Sequence, residues 1–191
     1  MIAGHFGFAT LVKGRERSTP LWMLMVATVW LDIVFVPLFV TGIETIQTVP
    51  GRHGYGAAII HADYTHSIVG TLVLSSILGA ASWPLWGRRT AIVIALVAAS
   101  HWVLDLIVHR ADMPILPANY LGLPRFGLGL WRFPAASIVV ELVLVLAGAW
   151  AYWRAAKDVS ARANRGISLA AINTILIVGS GILILWLDAS S

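Results

Sequence analysis

The sequence has no cysteine. That absence removes disulfides and thiolate metal ligands, and it leaves the redox compartment unread. Charge is scarce as well: 12% of the 191 residues are charged and 59% are hydrophobic. Soluble domains carry about 25% charged and about 45–50% apolar residues, so the composition excludes an ordinary soluble fold. No internal repeat, low-complexity tract or polar stretch long enough for a separate soluble domain is present. Residues 1–12 are apolar, but positive charge follows them instead of preceding them, the reverse of a cleaved signal peptide. The net charge of +4 does not point to nucleic acid, because basic residues in a membrane protein mark cytoplasmic loops.

What is present is apolar sequence in long runs. Five stretches, roughly 21–43, 66–86, 90–109, 134–153 and 166–187, approach or exceed the ~20 residues needed to cross the hydrocarbon core. They predict an all-α fold, a polytopic transmembrane helical bundle of about five spans plus a short N-terminal half-helix, forming one membrane domain over 1–191. Alternate sides of these spans carry unequal positive charge. Lys13, Arg15, Arg17, Arg88, Arg89, Arg154, Lys157, Arg162 and Arg165 share one side; Arg52, Arg110, Arg125 and Arg132 share the other. The positive-inside rule makes the first side cytoplasmic, with the N-terminus there and the C-terminus outside. Trp22, Trp86, Trp131, Trp153 and Trp186 fit interfacial anchors, and membrane lipids are the expected partners. The outer loops 44–65 and 110–133 are long for plain connectors, and long loops are often functional. Residues 1–12 either lie along the surface or dip inward as a half-helix.

Ionisable residues within spans are costly and usually functional. In SHWVLDLIVHRAD, His101, Asp105 and His109 fall at i, i+4 and i+8 and share one helical face. Asp112 lies just beyond. HADYTHS opens the second span, with His61 and His66 flanking Asp63. Asp32 in the first span and Glu141 in the fourth would each cost at least ~2.5 kcal/mol if left charged and unpaired. At ~1.5 Å rise per residue, Asp32, His101, Asp105 and Glu141 fall near mid-membrane, and His66 and His109 nearer the outer rim. His5 joins this band only if residues 1–12 dip inward. A shared band of imidazoles and carboxylates suits zinc, manganese or iron. The plainer alternative is a set of buried polar groups that specify helix packing.

The order GHFGFA, Asp32, THS at 65–67 and SHWVLD at 100–105 resembles the membrane-embedded metal-dependent hydrolases, labelled the LexA-binding inner-membrane hydrolase type. HRADMPILP, GLGLW and a Glu in the next helix resemble a small bacterial subgroup of that family. The resemblance covers roughly residues 1–153, with the span at 166–187 as an addition. It implies His5, Asp32, His66, His101 and Asp105 as metal ligands and a bacterial inner-membrane location. A His near the N-terminus, an Asp and a His-x-x-x-Asp helix are also similar to the zinc-dependent phospholipase C pattern. The chain departs from the family at Asp63 and Tyr64, where members often carry Arg or Pro.

These readings lead to a metal-dependent hydrolase acting on a lipid or lipid-linked phosphoester from the outer side. Glu141, Asp63 or His109 would serve as general base or orienting group, and Arg110, Arg125 and Arg132 would bind a phosphate head group. The same residues suit two other classes, an ion, proton or metal transporter and a non-catalytic scaffold with a structural metal or polar network. A membrane di-iron oxidoreductase would need more histidines than the six present.

Overall fold

The computed structural model describes residues 1–162 and 168–190. Arg165 of the basic tally and the first two residues of the 166–187 stretch lie outside the described residues. Among the described residues the chain is mainly helical, with six α-helices and one small hairpin. Helix α1 (Ile2–Arg15) is followed by α2 (Leu21–Thr28), α3 (Trp30–Val40), strands β1 (Thr45–Thr48) and β2 (Ala58–His61), then α4 (Ile68–Val108), α5 (Pro134–Arg162) and α6 (Ser168–Ser190). The antiparallel strands pair Thr45 with His61, so part of the expected outer loop is a ribbon.

Helix α1 is neither a surface helix nor a loose tail. A Cβ at Gly7 would meet the Leu144 backbone at 2.6 Å, and one at Gly14 would meet Ala151 at 2.7 Å. Gly148 of α5 lies in turn against Gly7 and Thr10. Small residues let helix backbones approach closely without relying on a hydrophobic driving force, so α1 packs along α5. The free N–H groups that start any helix are met by carboxylates. Asp188 accepts from Ile2 at 2.9 Å, and Glu141 accepts from Gly4 at 3.0 Å.

This arrangement brings the start of α1 and the end of α6 to one end of the bundle. Met1 lies beside Gly54, Tyr55 and Asp188 around one cavity, at the same end of the bundle as the end of α6. A 14-residue helix is about 21 Å long, enough to carry Met1 well away from the Lys13–Arg17 turn. At that turn Arg17 pairs with Asp158 and Arg89 with Glu16. Arg52, Arg110 and Arg132 gather around a cavity at the far end. The two groups of basic residues separated in the sequence are thus also separated in space.

Among the described residues three helices are long and apolar enough to cross a membrane, Ile68–Val108, Pro134–Arg162 and Leu169–Ser190, and the pair α2–α3, bent by 49°, qualifies together as a fourth. This is fewer than the five stretches expected, because 66–86 and 90–109 are joined in one helical element. That element is broken at Gly87, whose φ of 79° and ψ of 167° are non-helical and readily adopted only by glycine. Its two arms double back. A Cβ at Gly79 would meet Ala95 Cβ at 2.8 Å, and Trp102 Nε1 donates to the His66 carbonyl at 2.8 Å. An unbroken helix would hold residues 66 and 102 roughly 54 Å apart.

Between the basic end and the polar interior lies an apolar cluster of Ala9, Met23, Leu24, Ala27, Leu78, Ile94, Val97 and Ala98. It joins α1, α2 and both arms of α4.

Candidate metal centre

The bend between α2 and α3 prepares the first ligand. Helix α2 ends at Thr28, and the last carbonyls of a helix have no partner within it. The Thr28 carbonyl accepts from His101 Nδ1 at 2.7 Å. A carbonyl only accepts, so the proton sits on Nδ1, and Nε2 of the neutral ring carries a lone pair. Thr28 also donates its hydroxyl to the His5 carbonyl at 3.1 Å, tying the bend to α1.

His66 is held in the same sense by different groups. Its Nδ1 lies 2.9 Å from Thr65 Oγ1, which is 2.9 and 3.1 Å from the two oxygens of Glu44. The single hydroxyl proton goes to the carboxylate, so the hydroxyl accepts from His66 Nδ1–H. Glu44 is fully buried and also accepts from the backbone N–H groups of Tyr64 and Thr65 at 2.8 and 2.9 Å. His109 repeats the pattern, with Nδ1 3.1 Å from Asp112 Oδ1. An outer acceptor on one ring nitrogen is the usual way a protein orients a metal-binding histidine.

The other ring nitrogens converge. His66 Nε2 and His101 Nε2 are 3.1 Å apart. Asp105 Oδ2 lies 3.1 Å from His101 Nε2 and 3.6 Å from the Nε2 atoms of His66 and His109. Asp32 Oδ1 lies 3.5 Å from Nε2 of both His66 and His101. Helix α1 brings His5, whose Nε2 is 3.0 Å from Asp105 Oδ1 and whose ring stacks on His101 at 4.0 Å. All five expected ligands are therefore brought together. Two sets hold their ligand atoms within 4.8 Å of one another, His5–His101–Asp105 and Asp32–His66–His101. His101 is common to both.

The donor set fits a cation. Lone pairs and carboxylate oxygens at these distances repel unless positive charge lies among them. One proton can bridge two acceptors, whereas a divalent ion accepts four or more nitrogen and oxygen ligands. His5 Nδ1 is buried without a hydrogen-bond partner, which is uncommon for a buried polar atom. The centre opens on one side, where the Asp32 side chain is 42% exposed.

The remaining candidates lie around the centre. Both Glu141 oxygens are engaged at the start of α1, by Gly4 N–H and by the Tyr55 hydroxyl at 2.6 Å. Glu141 thus anchors the helix that carries His5. Burial and the contact with Glu141 push the Tyr55 phenol well above its ordinary pKa. Asp63 forms a two-pronged pair with Arg125 at 2.5 and 2.9 Å, and Arg125 also donates to the Asp112 carbonyl. That pair steadies the loop behind His109. Arg110 donates to the carbonyls of Gly56 and Ala58 at 3.0 and 3.1 Å and lines the far-end cavity with Arg132.

Sequence reasoning missed Thr28, Glu44, Thr65, Asp188 and Arg52. Glu44 and Thr65 left a signal, a carboxylate at a span end and a hydroxyl beside His66. The role of the Thr28 carbonyl left none. Compared with known protein families, with curated proteins and with solved structures, the chain matches none.

Proposed function

We propose that this chain is a polytopic membrane enzyme whose His/Asp centre holds one or two divalent ions and hydrolyses a phosphoester of a lipid or lipid-linked substrate. The observation that carries this reading is the convergence of His66, His101 and His109 Nε2 atoms on Asp105 while each Nδ1 is held from behind. Zinc suits these ligands first, with manganese or iron as alternatives. The resemblance to membrane-embedded metal-dependent hydrolases supports the same reading.

In this proposal His5, Asp32, His66, His101 and Asp105 hold the metal. A divalent ion in such a set supplies positive charge that lowers the pKa of water to about 7 and stabilises charge on a phosphoryl oxygen. His109 accepts the proton from the attacking water, and Asp112 orients its ring. Water adds to phosphorus, the ester oxygen leaves and takes up a proton as the alcohol. Arg110 and Arg132 bind a phosphate head group of the substrate, and Asp63 with Arg125 stiffens the loop.

The membrane arrangement we infer has α2–α3, the two arms of α4, α5 and α6 as five crossings of a bacterial inner membrane. The Lys13–Arg17 end is cytoplasmic, and the substrate enters from the outer side past Asp32. The apolar cluster beneath the centre supports hydrolysis over transport, since buried ionisable groups give way there to Leu24, Ile94 and Val97 and an ion path would need polar partners.

Elemental analysis of the purified protein tests the reading. It predicts at least one equivalent of a transition metal, lost in Asp105→Asn, and phosphoester hydrolysis in lipid nanodiscs that disappears with it. Protein free of stoichiometric metal sinks it.

A further inference from the structure

One wall of the centre is shared with a second, separate cavity. His109 packs against Trp131, with ring centroids 4.4 Å apart and the ring planes tilted by 41°. Trp131 in turn lines a cavity of about 180 Å³ with Arg52, Gly56, Val108, Arg110, Gly129 and Arg132. Three arginines line this small space, and among the described residues no carboxylate does. Among the described residues the buried Nε1–H of Trp131 has no hydrogen-bond partner. Arg125, by contrast, is committed to Asp63.

Like charges gathered around one space repel, and the arrangement is relieved by an anion. Arginine forks match phosphate oxygens in geometry as well as charge. The size limits the occupant. Pockets that enclose a drug-sized ligand run about 300–1,000 Å³, so this one suits a charged group and leaves the rest of the ligand outside.

We propose that the Arg52–Arg110–Arg132 cavity binds the phosphate or diphosphate of a ligand whose adjoining ester lies at the His/Asp centre, with Trp131 between the two. The substrate class is then a phosphate-terminated molecule, anchored through a group that is not the one cleaved. This inference rests on the reading of the centre as a hydrolytic metal site, and it adds Arg52 and Trp131 to the substrate contacts. Arg52 and Arg132 carry the recognition. Arg110 has a second task, since it also holds the Gly56 and Ala58 carbonyls.

The test uses full-length protein in detergent, stripped of metal with a chelator, and pyrophosphate as the probe. Metal-free protein separates this cavity from the centre, because any binding that remains owes nothing to a metal. Saturable binding by calorimetry is expected. It should weaken at least tenfold in Arg52→Gln and in Arg132→Gln, fall with rising salt, and stay unchanged in Asp105→Asn. Metal content is measured on each preparation before it is stripped. Stoichiometric metal before stripping with no pyrophosphate binding after it overturns this proposal and leaves the centre standing; pyrophosphate binding by preparations that held no metal before stripping overturns the centre alone. Equal binding by both arginine variants and the parent also overturns it. Competition by phosphatidic acid in nanodiscs, absent with phosphatidylcholine, identifies the source as a lipid head group, and its absence identifies a soluble phosphate.

Discussion

His66 Nε2 and His101 Nε2 face each other across 3.1 Å, each with its other ring nitrogen already committed to a hydrogen bond. Only positive charge between them makes that contact favourable. Stability should therefore depend on metal. Removing the metal should lower Tm, and adding it back should raise Tm in a concentration-dependent way, with a stabilisation of about 2.7 kcal/mol at a hundredfold excess over Kd. A thermal unfolding series in detergent checks this. His101→Gln should abolish the response, and an unchanged Tm with and without metal would speak for a shared proton instead.

Glu44 reaches the centre only through Thr65. Its replacement by Gln should leave all proposed ligands in place yet loosen the His66 ring, because groups behind a ligand typically tune metal affinity by about 10–100-fold. Thr65→Val should act the same way, since it cuts the same chain of hydrogen bonds. Competition with a metallochromic chelator measures the affinities. Parent-like affinity in both variants would detach Glu44 from the site.

Helix α1 depends on the absence of side chains along its seam with α5. Gly7→Ala adds a methyl that meets the Leu144 backbone. Overpacking of this kind costs about 1–3 kcal/mol. The variant should lose stability, and because His5 travels with α1 it should also lose metal affinity. Substituting Gly42, which has open space around it but a φ of 75°, should cost stability through backbone strain alone and spare the metal.

Tyr55 is expected to be the last tyrosine to ionise. Its folded pKa is raised above the ordinary value of 10.0, so the folded state retains a proton that the unfolded state releases. The stability this contributes is complete below about pH 10 and is lost as pH rises above that value. Titration of tyrosinate absorbance should show one of the four tyrosines resisting until the protein unfolds. Tyr55→Phe should remove that late step and leave Glu141 Oε1 without its partner, at a cost of about 1–3 kcal/mol.

Much of the centre could be read in the sequence because helical spacing is local. The i, i+4, i+8 pattern alone aligned His101, Asp105 and His109, and depth along the spans brought in Asp32 and His66. His5 was legible only conditionally, since a short apolar segment reads alike on a surface or inside a bundle. The shared end of the two termini went unread for the same reason. The Thr28 carbonyl could not be read, because its availability follows from a 49° bend and not from residue type. The fold-back of α4 rests on Gly87, a glycine flanked by Trp86 and Arg88 that looks like an ordinary loop residue until its backbone angles are known.

The carboxylates that hold the start of α1 have a consequence for the order of assembly. Ile2 is bonded to a residue 186 positions later and Gly4 to one 137 positions later. Helix α1 is made well before its seat on α5 and α6. At about 5–20 residues per second, it waits on the order of ten seconds or more for that seat. His5 therefore cannot be held in the place that these contacts give it until α5 and α6 have both been made, which couples completion of the centre to helices far downstream of it.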